Sequence, residues 1–252
     1  MAPRLEELDW QETSMGEIYL RRRFDRTVEA DVFEVKLGDE FLMSSLFTVA
    51  EVELTRLGLA QVSADRIDVL VGGLGLGYTA ATALEDSRVQ SLTVVDALAP
   101  VIDWHQRNLL PDTAGLASDP RTRLVQGDFF ALVAGEVGFG ESLPDRFDAI
   151  LLDIDHTPDH VLHPSHAAFY SVAGLRALSR HLTEQGVFAL WSDDPPEDEF
   201  LEVLRQVFTD VAAHVVTFPN PLTGGESSNS VYVARGQRPA DTPRSQPTCG
   251  DR

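Results

Sequence analysis

Ile67-Asp68-Val69-Leu70-Val71-Gly72-Gly73-Leu74-Gly75-Leu76-Gly77 is a short apolar run that breaks into alternating glycines. Val69, Leu70 and Val71 are what a strand covered on both faces requires. Gly73, Gly75 and Gly77 then let the main chain turn sharply, with no Cβ to hold a ligand away. The Ala- and Thr-rich segment from Tyr78 to Leu84 continues as a helix, and its free N–H groups and dipole face the same point. A glycine turn alone is a weak signal, and the acid on the next strand strengthens it. Ser91 to Val95 reads as a second strand ending at Asp96, nineteen residues after Gly77, where a carboxylate can accept both hydroxyls of a ribose. Strand, glycine turn, helix, strand and acid together make a nucleoside-binding half-site.

The pattern repeats along the chain. A third strand, Arg123 to Gln126, stops at Gly127-Asp128, and a fourth, Phe147 to Leu152, stops at Asp153-Ile154-Asp155-His156. A fifth, Gly186 to Trp191, ends at Ser192-Asp193-Asp194. Helices are predicted over Pro100 to Leu109, Ser165 to His181 and Glu197 to Phe208. Right-handed crossovers between parallel strands bring all the strand ends, and hence these acids, to one crevice. Ala212 to Phe218 and Ser230 to Ala234 read as an antiparallel hairpin on the sheet edge.

The fold class expected is therefore α/β, a doubly wound, mostly parallel seven-stranded sheet with a small N-terminal β appendage. In that appendage Glu17 to Arg22 and Asp31 to Leu37 form a hairpin after a frayed start. Leu46 to Leu57 then forms a helix, with Gly58 placed to end it. The domains read as 1–60 for the hairpin and helix, 61–235 for the nucleoside-binding domain and 236–252 for a disordered tail poor in residues to bury.

Forty acidic against twenty basic residues give a formal charge of −20, which disfavours nucleic acid and anionic membranes and favours a cationic substrate. No apolar run approaches the ~20 residues of a membrane span, and residues 1–10 lack a signal-peptide pattern. A soluble cytoplasmic protein is expected. The one cysteine, Cys249, lies in the polar tail and leaves no cysteine-based metal site or disulfide framework.

These features resemble the class I methyltransferase (Rossmann-like) fold and, within it, the spermidine synthase (polyamine aminopropyltransferase) family over roughly residues 16–235. Gly72-Gly73-Leu74-Gly75-Leu76-Gly77 stands against the family's G-G-G-D-G-G turn, and Gly127-Asp128 against its G-D-A. Phe147-Asp148-Ala149-Ile150-Leu151-Leu152-Asp153 matches its Y-D-V-I-I-x-D, and Phe169-Tyr170 the following F-Y. The resemblance implies that Asp96 holds the ribose, Asp128 the adenine amino group, and Asp153 orients and deprotonates an attacking amine. A carboxylate at the crevice suits that last task on chemical grounds as well, since a nucleophilic amine must first lose a proton. Crowding by Asp155, and by Asp193 where it points inward, is expected to raise a carboxyl pKa there.

Two departures bear on the reaction. Gly75 stands where the family has an acid associated with the amine end of decarboxylated S-adenosylmethionine; a glycine N–H would tolerate the carboxylate of intact S-adenosylmethionine, which an Asp would repel. The family's Tyr-His-Glu segment is replaced by Phe41-Leu42-Met43-Ser44-Ser45. The nucleoside half looks intact and the amine half rebuilt.

His156, His160, His163 and His166 crowd one loop, but Pro158 and Pro164 stop a single helix from presenting them as metal ligands. The loop reads as a lid with His156 as its functional residue, and no metal is assigned. The expected cofactor-binding residues are Gly73, Gly75, Gly77, Asp96 and Asp128, and the expected catalytic residues Asp153, Asp155 and His156.

The expected function is a spermidine synthase-like transferase that alkylates a nucleophile, an amine by preference, using S-adenosylmethionine or its decarboxylated form. Gly75 tips the expectation to methyl transfer. Aminopropyl transfer is the first alternative and a non-catalytic nucleoside-binding module the second. The partner is a small molecule, and the resemblance is compatible with a homodimer.

Overall fold

The computed structural model describes residues 5–135 and 143–239. Strands β5 (Ile67–Gly72), β6 (Val89–Asp96), β7 (Thr122–Gln126), β8 (Phe147–Leu152), β9 (Leu182–Ser192), β10 (Phe208–Asn220) and β11 (Gly225–Gln237) form a seven-stranded sheet in the order β10-β11-β9-β8-β5-β6-β7. The pairings among β5 to β9 are parallel, while β11 is antiparallel to both of its neighbours. This is the expected α/β architecture, closed by the expected hairpin. The order reverses between β5 and β8, so the ends of these two strands define the switch point.

Period-two alternation sorts each central strand between two cores. Val69, Val71, Ala149, Leu151, Val187 and Ala189 face one layer, and Leu70, Ile150, Leu152, Phe188 and Leu190 the other. The first layer holds α1 (Val49–Leu59), α2 (Tyr78–Glu85) and α3 (Ala99–Gln106). The second holds α4 (Phe129–Ala134), α5 (Val172–Ser179) and α6 (Asp198–Arg205), with an aromatic cluster around Phe129, Phe169 and Phe188.

Upstream, β1 (Leu5–Thr13), β2 (Gly16–Asp25), β3 (Ala30–Leu37) and β4 (Glu40–Ser44) make a four-stranded antiparallel meander. Its inner residues Ile18, Leu20, Phe33 and Val35 join the first core. The expected hairpin is therefore the centre of a larger sheet. The start expected to fray pairs with β2 from Leu5 onward and is tied down by the Trp104 indole, which donates to Asp9 Oδ2 at 2.7 Å.

Several elements differ from expectation. Gly58 does not end α1: a Cβ there would lie 2.8 Å from Leu151 Cδ2 and 3.2 Å from Ala189 Cβ, so the glycine lets the helix press onto β8 and β9. The helix expected over Ser165 to His181 is broken. A 3-10 stretch, Pro164–Tyr170, ends where the Ser171 side chain caps α5 by accepting from Gly174 N, and His181 falls outside the helix. The unexpected α4 begins at Asp128, whose carboxylate accepts from Phe130 N and Ala131 N, and ends at Gly135 with φ of 82°. The sheet runs to Gln237, into the segment expected as tail, while residues 240–252, including Cys249, lie outside the described residues, as do 1–4.

Candidate active site

β5 delivers the glycine turn to the switch point, where Asp153 N donates to Gly72 O at 2.8 Å. At Gly73 (φ +93°) a Cβ would fall 2.0 Å from Asp153 O, so only glycine permits the ends of β5 and β8 to close up. Gly75 (φ +46°) is covered by β4: a Cβ would lie 2.5 Å from Met43 Sδ, and that sulfur also accepts from Leu76 N at 3.2 Å. Gly77 (φ +89°) leads into α2 beneath His105, whose Nε2 donates to Gly75 O at 2.9 Å. Burial lowers the His105 pKa and keeps the ring neutral. The turn is thus clamped by β8, β4 and α3 at once.

Around it lies a cavity of about 1010 Å³. Gly73, Gly75, Gly77, Asp96, Asp128, Asp153 and His156 all line it, which unites every expected site residue but one. Asp96 accepts from Leu74 N at 2.9 Å through one oxygen and from Leu98 N at 2.8 Å through the other. Burial raises its pKa, opposed by the N–H groups of Leu98, Leu74 and Gly75. Asp128 spends Oδ1 on the first turn of α4.

Asp153 Oδ2 accepts from the Thr79 hydroxyl at 2.6 Å. Burial pushes its carboxyl up to about 6, against the pull of that hydrogen bond. A carboxyl poised there can take a proton from an ammonium near neutral pH. His156 Nε2 lies 2.9 Å from Glu40 Oε1, tying the loop after β8 to β4, and its carbonyl accepts from Asp193 N at 2.7 Å.

Asp155 is the residue that stands apart. It is 1% exposed and does not line the cavity. One oxygen accepts from Leu162 N and His166 Nδ1, and the other from the Tyr170 hydroxyl, all at 2.8 Å. With both oxygens occupied on Leu162, His166 and Tyr170 it organises the loop of residues 153–170 and does not itself line the cavity, unlike the catalytic placement and the crowding of Asp153 expected of it. The sequence pattern could not separate Asp155 from Asp153, because only the bend after β8 sends one inward and the other beneath.

The neighbour that does crowd Asp153 is Glu51 of α1, which the sequence reading missed. It is buried and lines the cavity, and burial first, then the charges of Asp153 and Asp193, push its carboxyl up to about 8. A signal existed: Glu51 and Thr55 fall on the same buried stripe as Ala50, Leu54 and Gly58, where a charged side chain is out of place. Trp191, at the end of the fifth strand, packs against the first core and also lines the cavity, with its indole N–H buried and lacking a partner among the described residues. Among the described residues no cluster of His, Cys, Asp and Glu is placed to hold a metal, and no helix is long and apolar enough to cross a membrane.

No family model matches the chain. It is 28% identical over 201 residues to a polyamine aminopropyltransferase of Ruegeria sp. (strain TM1040), covering 77% of this chain and 63% of that protein. It is 27% identical over 161 residues to polyamine aminopropyltransferase 2 of Pseudomonas aeruginosa, covering 62% of this chain and 44% of that one. The chain thus spans less than two thirds of either relative. Among solved structures, spermidine synthase in complex with the transition state analogue AdoDATO and spermidine synthase from Thermotoga maritima each superpose with a TM-score of 0.68 at 18% identity, over 91% of this chain and 72% of theirs. The fold is that of these spermidine synthase structures, as the motifs implied, and the chain is similar in sequence to the two polyamine aminopropyltransferases. The relatives' names back aminopropyl transfer over the methyl transfer that Gly75 had favoured.

Proposed function

We propose that this spermidine synthase-like chain is an aminopropyltransferase, which joins the aminopropyl group of decarboxylated S-adenosylmethionine to a small amine. The observation that carries the reading is a cavity at the switch point with a ribose-type acid, Asp96, on one side and three acids, Asp153, Asp193 and Glu51, on the other. The second group suits cations, and the similarity to two polyamine aminopropyltransferases points the same way.

The residues present fit such a donor. Asp96 is held by main-chain N–H groups at the tip of β6, where it can accept both ribose hydroxyls. Asp128 has an oxygen left over from its capping bonds for the adenine amino group. The donor supplies a carbon activated by an adjacent sulfonium. This chain's contribution is to hold the amine in line with that carbon, to keep water out and to take one proton. Asp153 accepts that proton from the amine's ammonium form, the nitrogen lone pair forms the new C–N bond, and the C–S bond breaks to leave a neutral thioether. The Thr79 hydroxyl fixes one Asp153 oxygen and turns the carboxylate toward the acceptor.

Methyl transfer loses its sequence argument once Met43 is seen against Gly75. The space an acidic side chain would have occupied there is filled by a thioether, and among the described residues no Lys or Arg lines the cavity to welcome a donor carboxylate. The test is to incubate the protein with decarboxylated S-adenosylmethionine and short diamines and to assay methylthioadenosine and the lengthened polyamine by mass spectrometry. Methylated amine and S-adenosylhomocysteine from intact S-adenosylmethionine, with no aminopropyl product, would overturn the reading.

A further inference from the structure

The glycine turn brings no acid of its own to the tail of a bound donor, because Gly75 has no side chain and Met43 closes over it. Glu51 lies nearby with nothing to do in the free protein. It is 8% exposed, lines the cavity, and among the described residues the hydrogen-bond partner of its carboxylate is its own main-chain N–H. A carboxyl this deeply buried, with its own main-chain N–H as its partner among the described residues, costs stability unless a cation pairs with it.

Its position follows from its neighbours. One helical turn on, the Thr55 hydroxyl donates to Thr79 O at 2.9 Å, and the Thr79 hydroxyl in turn donates to Asp153. This fixes the Glu51 face of α1 against the first turn of α2, directly after the glycines. The groups that act on Glu51 electrostatically are Asp153 at the end of β8 and Asp193 after β9, and it in turn acts on Tyr78 of α2. All three neighbours line the same cavity, and each acid there is negative when ionised.

A nucleoside anchored at Asp96 and Asp128 lies on the β6–β7 side of the switch point. Its tail must then cross the glycine turn toward β8, into the part of the cavity that Glu51, Tyr78 and Asp153 line together. We infer that Glu51 is the donor-selecting residue: its carboxylate pairs with the primary ammonium at the end of the donor's aminopropyl tail and rejects a tail that carries a carboxylate. The inference rests on the aminopropyl reading above and assigns it a residue outside the strand-end acids. In the free protein the buried carboxyl keeps its proton near neutrality, and an ammonium placed beside it lets it ionise, so pairing is coupled to binding of the correct tail.

Calorimetric titration of the wild-type chain, Glu51→Gln and Glu51→Asp with decarboxylated S-adenosylmethionine and with methylthioadenosine, which lacks the ammonium, tests this. For Glu51→Gln the expected result is at least tenfold weaker binding of the decarboxylated donor with methylthioadenosine affinity unchanged. Glu51→Asp should recover part of the loss. Equal donor affinity in Glu51→Gln and wild type overturns the inference while leaving the aminopropyl reading intact, and so does an equal loss for both ligands. Failure of the wild-type chain to bind the decarboxylated donor while it binds methylthioadenosine overturns the aminopropyl reading, and this inference with it. Should Glu51→Gln not fold, the same comparison with Glu51→Asp decides: unchanged donor selectivity there overturns the assignment.

Discussion

The two halves of the cavity are built on different principles. On the side proposed for the nucleoside, Asp96 and Asp128 are held by main-chain N–H groups of Leu74, Leu98, Phe130 and Ala131, all within a few residues of a strand end or a glycine turn. On the side proposed for the amine, Asp153, Glu51, Asp193 and His156 come from two strand ends, a helix and a loop, and two of the acids have strongly raised pKa values. Backbone-held groups are preorganised and change little when a ligand arrives. Crowded acids are strained in the free protein and relax when a cation enters.

That contrast can be broken most sharply at Asp153. Asp153→Asn should lower kcat about 10²–10⁴-fold, the usual range for loss of a general base, while nucleoside affinity stays as in the wild type. Full turnover in this variant would remove Asp153 from the mechanism. In the wild type, kcat/KM should rise with pH through about 6 as this carboxyl gives up its proton.

Next in size is Gly73→Ala. Its Cβ would sit 2.0 Å from Asp153 O at a positive φ, so β5 and β8 would have to part. A loss of about 3 kcal/mol or more is expected in denaturant unfolding, with binding lost on both sides of the cavity. A neutral effect would contradict the close approach.

Glu51→Gln sharpens the same point through stability. The folded pKa of Glu51 is raised from 4.5 to about 8, so its contribution is full below pH 4.5 and is lost as pH rises through about 8. The neutral variant should therefore become progressively more stable than wild type across that window. The gap should reach on the order of a few kcal/mol at alkaline pH, measured by urea unfolding at several pH values. A constant gap would mean that Glu51 is not held protonated by the fold.

The smallest effect belongs to His156→Ala. Its contact with Glu40 is partly exposed on both sides, so the stability change should stay under about 1 kcal/mol. A several-fold rise in KM for the acceptor amine with little change in donor affinity would mark the residue as part of the amine side.

The same contrast explains what the sequence could reveal. Apolar runs that stop at glycine or acid made β5 to β9 and the acids Asp96, Asp128 and Asp153 legible, because each lies at the end of a strand its own residues define. β1 was missed because none of its residues is fully buried, so no apolar stripe stands out. The break at Ser171 was missed because it depends on Gly174: a Cβ there would lie 2.3 Å from Phe169 O, a contact that periodicity cannot register. Asp155 and Asp153 share a loop and a chemistry, and only the fold sends Asp155 beneath it to Tyr170 and His166. Glu51 reaches the cavity from a helix more than a hundred residues away from Asp153, a juxtaposition that only tertiary packing creates.

The central claim is that this cavity is made for a donor whose tail ends in an ammonium. Parallel calorimetric titrations of the wild-type chain with intact and with decarboxylated S-adenosylmethionine test it most directly. Tighter binding of the decarboxylated form is the predicted result; tighter binding of the intact form would contradict the account and return methyl transfer to the front.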